Sequence, residues 1–234
     1  MTVEDVTVNR PAPVTDRPAQ YRYGIVFLLT LALVVFVIAA PSANWSRAAT
    51  VAIEGLALVV AVATAREREA VRRRNAAAVA AVLIVLILLI ATGVAPRQLT
   101  DIANVLITAA IPVVIIDGVL RLLRDRGVTI QAVAGALAIY LTVGLLFAWI
   151  VGFITHVDST PYFAQHINGT EGDRVYFSFT VLTTTGFGDF SPATPVGHAL
   201  AVIEMLTGQL YLVTVIGLLI GNYVGRQKRA PAPS

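Results

Sequence analysis

The chain has 234 residues, of which 57% are hydrophobic and only 13% charged, with a net charge of +3 and a mean hydropathy of +0.78. A water-soluble domain carries about 25% charged residues, so this composition excludes an ordinary soluble globular enzyme. The lack of cysteine excludes disulfides, thiolate chemistry and cysteine-based metal sites, and His156, His166 and His198 lack metal-ligand spacing. All but one of the 17 basic residues are Arg, and Ala and Val abound, which suggests a GC-rich bacterial genome.

Residues 1–22 are polar and proline-bearing, and the sequence predicts a disordered tail there. Apolar runs follow at Tyr23–Ala40, Ala48–Ala65, Ala76–Val94, Ile102–Leu120, Ile130–Ile154 and Pro195–Val224. Each is long enough for a membrane helix, which needs about 17–25 residues to cross roughly 30 Å of hydrocarbon. The first run is longer than a secretory signal core and follows a 22-residue leader, so it is expected to be a retained span. Six spans make the connecting segments alternate sides. The N-terminal tail, the 66–74 and 121–126 loops and the C-terminal tail hold 14 of the 17 basic residues; the other side holds Arg47, Arg97 and Arg174. Cytoplasmic loops attract Lys and Arg, so both termini are expected in the cytoplasm and His156–Thr194 outside, in a multi-pass protein of the plasma (inner) membrane. These arginines then face lipid phosphate and cytosol, and no nucleic-acid partner is expected.

Between the last two spans, Asp173 is the predicted N-cap of a short helix over Arg174–Thr183, too short to cross a membrane. "TTGFGD", Thr184 to Asp189, follows. Irregular backbone at membrane depth survives only when buried in protein or lining a water-filled path. Gly186 and Gly188 permit backbone angles barred to other residues and, alternating with bulkier residues, turn successive carbonyls toward one line. Such carbonyls can replace the water shell of a monovalent cation, with the Thr184 hydroxyl adding an oxygen at the inner end. The short helix aims its partly negative C-terminus at the same place. One chain supplies one such loop, so a ring of oxygens requires a symmetric oligomer.

With this loop, a half-length helix before it, an acid after it and a span on each side, Ile130–Val224 resembles the potassium-channel pore family. The resemblance implies an all-α membrane protein, a homotetramer, with six transmembrane helices and a re-entrant pore helix. It implies a four-helix, voltage-sensor-like domain at 23–126 and a pore domain at 127–225: outer helix 130–154, pore helix 174–183, filter 184–188, inner helix 195–224, then a cytoplasmic tail at 226–234. Thr184, Thr185, Gly186 and Phe187 would offer carbonyls to K+, with Gly188 completing the filter. Thr183, Tyr176, Asp189 and Glu204 would support it, Tyr176 by reaching Asp189 and Glu204 by bracing the pore helix. Two positions depart from the family: Thr185 replaces its Val, and Phe187 replaces its Tyr and cannot donate a phenolic hydrogen bond. Gly208 stands nineteen residues after Asp189, at the family's inner-helix hinge, and Leu212, Ile216, Ile220 and Val224 form a four-residue stripe read as cavity and gate or as helix packing.

The fourth span contains no basic residue, and Arg121 and Arg124 are expected beyond its end, so strong voltage gating is not expected. Asp117 is expected to pair with Arg121, and Glu54 has no evident partner. Arg66, Arg68, Arg72, Arg73 and Arg74 form a candidate anionic-lipid site or ordinary anchors. The three histidines fall outside, where external pH could act on them. No ligand-sensing domain is expected in the ten residues after Val224. The expected function is passive K+ conduction with no covalent chemistry and no cofactor. The alternatives are a weakly selective monovalent cation channel and an ion-coupled secondary transporter, the latter disfavoured because no internal repeat is visible.

Overall fold

The computed structural model describes residues 22–64 and 69–227, with side chains omitted at 69–73, 216, 220 and 222–227. Seven α-helices follow in order: α1 Tyr23–Ala39, α2 Asn44–Thr64, α3 Glu69–Ala91, α4 Arg97–Arg126, α5 Ile130–Val157, α6 Glu171–Leu182 and α7 Pro195–Gln227. Among the described residues the extended structure is limited to isolated bridges from Phe163 to Ile167 and Pro192. Among the described residues, five helices are long and apolar enough to cross a membrane, and α1 is an apolar helix of 17 residues.

Local chemistry sets the breaks. The N–H of Gly127, at φ 75°, bonds the Leu123 carbonyl and closes α4, an angle that suits glycine after a helix. Thr129 then opens α5 by accepting a hydrogen bond from the Ala132 N–H at 3.2 Å. The connection is therefore only residues 127–129. The expected 121–126 loop is instead the last turns of α4, which corrects the placement of Arg121 and Arg124 beyond the helix. Leucines among those arginines continue the apolar face: Leu122 and Leu123 are buried. Arg121 meets Asp117 at 2.8 Å, an exposed pair worth about 0–1 kcal/mol.

Three clusters of side chains hold the helices together. Val26, Val51, Ile111, Ile115 and Ala138 belong to the largest, which joins α1, α2, α4 and α5, with Leu83 of α3 in it. Leu33, Val37, Leu145, Trp149 and Val175 tie α1 and α5 to α6. Tyr162, Phe163, Phe177, Val181 and Ala201 tie the segment after α5 to α6 and α7. The short α6 is thus wedged among α1, α5 and α7, and this wedge positions the segment that follows it.

Candidate functional site

Helix α6 begins three residues earlier than the sequence predicts. Thr170, not Asp173, is the N-cap: its extended backbone (φ −77°, ψ 173°) lets its hydroxyl accept from the Asp173 N–H at 3.1 Å. Asp173 sits at the third helical position and accepts from the Thr170 N–H at 2.8 Å, completing a reciprocal capping box. Asp173 carries out half of this exchange, which is why it read as a cap from sequence. The helix stops at Leu182, one residue short of the predicted Thr183; with 12 residues it is about 18 Å long.

The chain then turns through Thr183–Asp189. Thr184, Gly186 and Gly188 have φ of 57°, 50° and 82°, and the intervening Thr185 and Phe187 do not share the positive sign. For a β-branched residue such as Thr184 this angle is an outlier. Hydrogen bonds hold it: the Thr184 N–H bonds the Val181 carbonyl at 2.9 Å, and the N–H groups of Thr185 and Gly186 bond the Thr180 carbonyl at 2.9 and 3.1 Å. In a trans peptide the C=O points opposite to the next N–H. Amides turned back onto α6 therefore send the Thr184 and Thr185 carbonyls away from it. All of Thr183 to Asp189 is exposed, Phe187 at 70%.

Side chains fasten this loop on three sides. The Thr183 hydroxyl bonds the Phe179 carbonyl at 2.7 Å and lies 2.9 Å from the Thr185 hydroxyl. Gln209 Nε2, on α7, donates to Thr184 Oγ1 at 3.0 Å. Tyr176 hydrogen-bonds the Asp189 side chain, and burial followed by that carboxylate raises the phenol's pKa. The Tyr176 and Phe187 rings lie parallel within 4° with centroids 6.2 Å apart. Gln165 Nε2 donates to the Asp189 carbonyl at 2.6 Å.

Behind α6, the buried Glu204 carboxyl bonds the Ser178 hydroxyl, which also lies 2.6 Å from the Gly144 carbonyl. A hydroxyl has one proton and a carbonyl can only accept. The Ser178 hydroxyl therefore serves one of these two oxygens at a time, and it ties α6 to both α7 and α5. Sequence reasoning missed Ser178, Gln165 and Gln209, whose roles depend on which helices meet; nothing local marks them.

Helix α7 runs unbroken through Gly208. A Cβ built there would stand 2.2 Å from the Leu182 carbonyl oxygen, so glycine lets α7 lie against the last turn of α6. Leu212 is half-buried, while the side chains of Ile216, Ile220 and Val224 lie outside the described residues. Arg74 is exposed; Arg66 and Arg68, and the side chains of Arg72 and Arg73, also lie outside the described residues, as do residues 1–21 and 228–234.

Residues 135–224, which span most of α5, all of α6, the loop and nearly all of α7, match the family model described as "Ion channel". No curated protein and no solved structure matches the chain. The match supports an ion channel, and with five apolar helices of spanning length the chain is a membrane protein.

Proposed function

We propose that the protein is a potassium-selective channel that conducts passively through a homotetrameric pore, with both termini in the cytoplasm. The observation that carries this reading is the alternation of positive φ at Thr184, Gly186 and Gly188 in an exposed loop at the end of a half-length helix. Alternation of this kind turns successive carbonyls to one side, and a file of carbonyls can take the place of an ion's hydration shell. A polar, exposed loop at the tip of a wedged helix cannot face lipid. Copies of itself around a central axis would give it water and a full ring of oxygens. K+ would meet the carbonyls of Thr184, Thr185, Gly186 and Phe187, with Gly188 completing the filter and Asp189, Tyr176, Thr183 and Glu204 supporting it. No cofactor and no catalytic residue are part of this function. Arg66, Arg68, Arg72, Arg73 and Arg74 would anchor the cytoplasmic side against anionic headgroups.

Reversal potential in a potassium-to-sodium gradient tests the reading. A selective channel follows the potassium equilibrium potential. A value near zero replaces this reading with a weakly selective cation channel, which the missing phenolic hydroxyl at Phe187 favours. Ion flux without measurable current would point to a transporter.

A further inference from the structure

Glu54 lies in the middle of α2, is 1% exposed, and forms no ion pair among the described residues. Its Oε1 accepts two hydrogen bonds, from Thr108 Oγ1 of α4 at 2.9 Å and from Trp149 Nε1 of α5 at 2.7 Å, while its Oε2 has no partner. A buried charge without a counter-ion is costly, whereas a proton on Oε2 makes the group neutral. The acid thus has a definite place for a proton; what remains is how one reaches it.

A polar pocket of about 250 Å³ opens at the end of the bundle that carries the Thr183–Asp189 loop, lined by Arg47, Arg97, Asp101, His156, Glu171 and Arg174 among others. His156 Nδ1 lies 2.6 Å from Asp101 Oδ2. Arg47 stands over Glu54 on α2, Asp101 over Thr108 on α4, and His156 over Trp149 on α5. Each pair is seven residues apart, two helical turns or about 10 Å on one face. Three helices therefore carry the same axis from the pocket down to the carboxyl. Asn104, 3% exposed, lies between Asp101 and Thr108 with its Oδ1 unpartnered, and Arg174 Nε is unpartnered at the mouth. Pro112 has no N–H for the Thr108 carbonyl, which frees one more acceptor beside Glu54. Buried polar groups without protein partners, in a row, mark a path that water can occupy.

We propose that Glu54 is an exchangeable proton-binding site, loaded and unloaded from the loop-side pocket through water along the seam of α2, α4 and α5. Assigning that pocket to the outside of the cell rests on the orientation proposed above; the path itself does not. The charged groups facing its mouth are Arg47 from α2, Arg97 and Asp101 from α4, His156 from α5, and Glu171, Asp173 and Arg174 from α6. Helices α1 and α3 bring no ionisable side chain to this depth. Because Trp149 belongs to α5 and Thr108 to α4, the proton sits where the first four helices meet the conducting segment.

The chain has two tryptophans, Trp45 and Trp149, and Trp45 is 58% exposed, so Trp45→Phe leaves Trp149 as the reporter. The full-length variant in vesicles of known orientation is stepped over about pH 5 to 9 on one face at a time, and Trp149 emission is recorded. The expected result is a titration when the loop-side face is stepped, lost in Glu54→Gln and slowed by Asn104→Leu, which plugs the path but keeps the acid. Emission that ignores pH on both faces overturns the proposal, as does the same titration in Glu54→Gln. A response only from the opposite face, or an unslowed response in Asn104→Leu, overturns the path. Fluorescence does not require conduction, so this outcome is independent of whether the protein passes potassium.

Discussion

Thr184 shows how the loop holds an unfavourable conformation. A positive φ at a β-branched residue costs about 1–3 kcal/mol, and it persists because its N–H, its hydroxyl and the amides after it are all engaged. Gly186 carries the same sign of φ without that cost, and Ala there would meet no atom within 4 Å in the single chain. Its penalty is conformational. Gly186→Ala is expected to abolish potassium current while purification and oligomer size stay unchanged; full current in single-channel recording would remove Gly186 from the conduction path. Glu204 invites a different test. An amide at this position can still accept from the Ser178 hydroxyl, or donate to it, so Glu204→Gln should keep near-native thermal stability. Glu204→Ala leaves Ser178 and a buried void and should lose about 1–3 kcal/mol, seen as a lower melting temperature. Equal loss in both variants would show that a neutral amide cannot stand in for the carboxyl at this bridge.

At the scale of elements, α6 depends on its ends. Thr170→Ala removes half of the capping box and is expected to cost about 1 kcal/mol, together with faster amide exchange in the first turn of α6. At the other end, α7 crosses against the Leu182 carbonyl at Gly208. A methyl placed 2.2 Å from a backbone oxygen has no flexible side chain to push aside. Gly208→Ala should therefore separate α6 from α7, at about 1–3 kcal/mol or more, and disturb the adjacent Gln209–Thr184 hydrogen bond. A melting curve unchanged by this substitution would mean that α7 can slide freely here. If the glycine served bending alone, Ala would alter opening and leave stability untouched, so the two measurements together separate the two roles.

At the scale of the whole molecule, the exposed surfaces differ in kind. Helix α3 exposes Val82, Ile84, Val85 and Leu88, an apolar surface that suits hydrocarbon. Helix α7 also exposes apolar side chains, Leu206, Leu210 and Val213 among them, but beside them lies the polar Thr183–Asp189 loop, which hydrocarbon cannot satisfy. In the proposed homotetramer, burial of α7 and this loop against identical chains would meet both requirements. Mass measurement of the detergent-extracted protein is expected to give four copies, and a monomer that still conducts would end the carbonyl-ring reading. Between Arg97 at its first residue and Arg121 near its end, the α4 helix carries no basic residue, so conductance is expected to change little with membrane voltage, as a current–voltage series in symmetric potassium would show.

Hydropathy laid out the apolar helices, and the Thr-Thr-Gly-Phe-Gly-Asp string marked the loop, because both signals are local: chain length against bilayer thickness, and backbone freedom at two glycines. The sequence also placed Asp117 beside Arg121, since helical spacing alone brings them together. It misplaced the start of α6, because Asp173 completes a cap begun at Thr170, and it ended α4 too early, because buried leucines lie between the arginines. Glu54 had no partner on paper. Thr108 and Trp149 stand 54 and 95 residues away and reach it only because α4 and α5 pack across α2. Where helices touch is decided by side-chain fit between segments distant in the chain, and no periodicity along one strand of sequence encodes it.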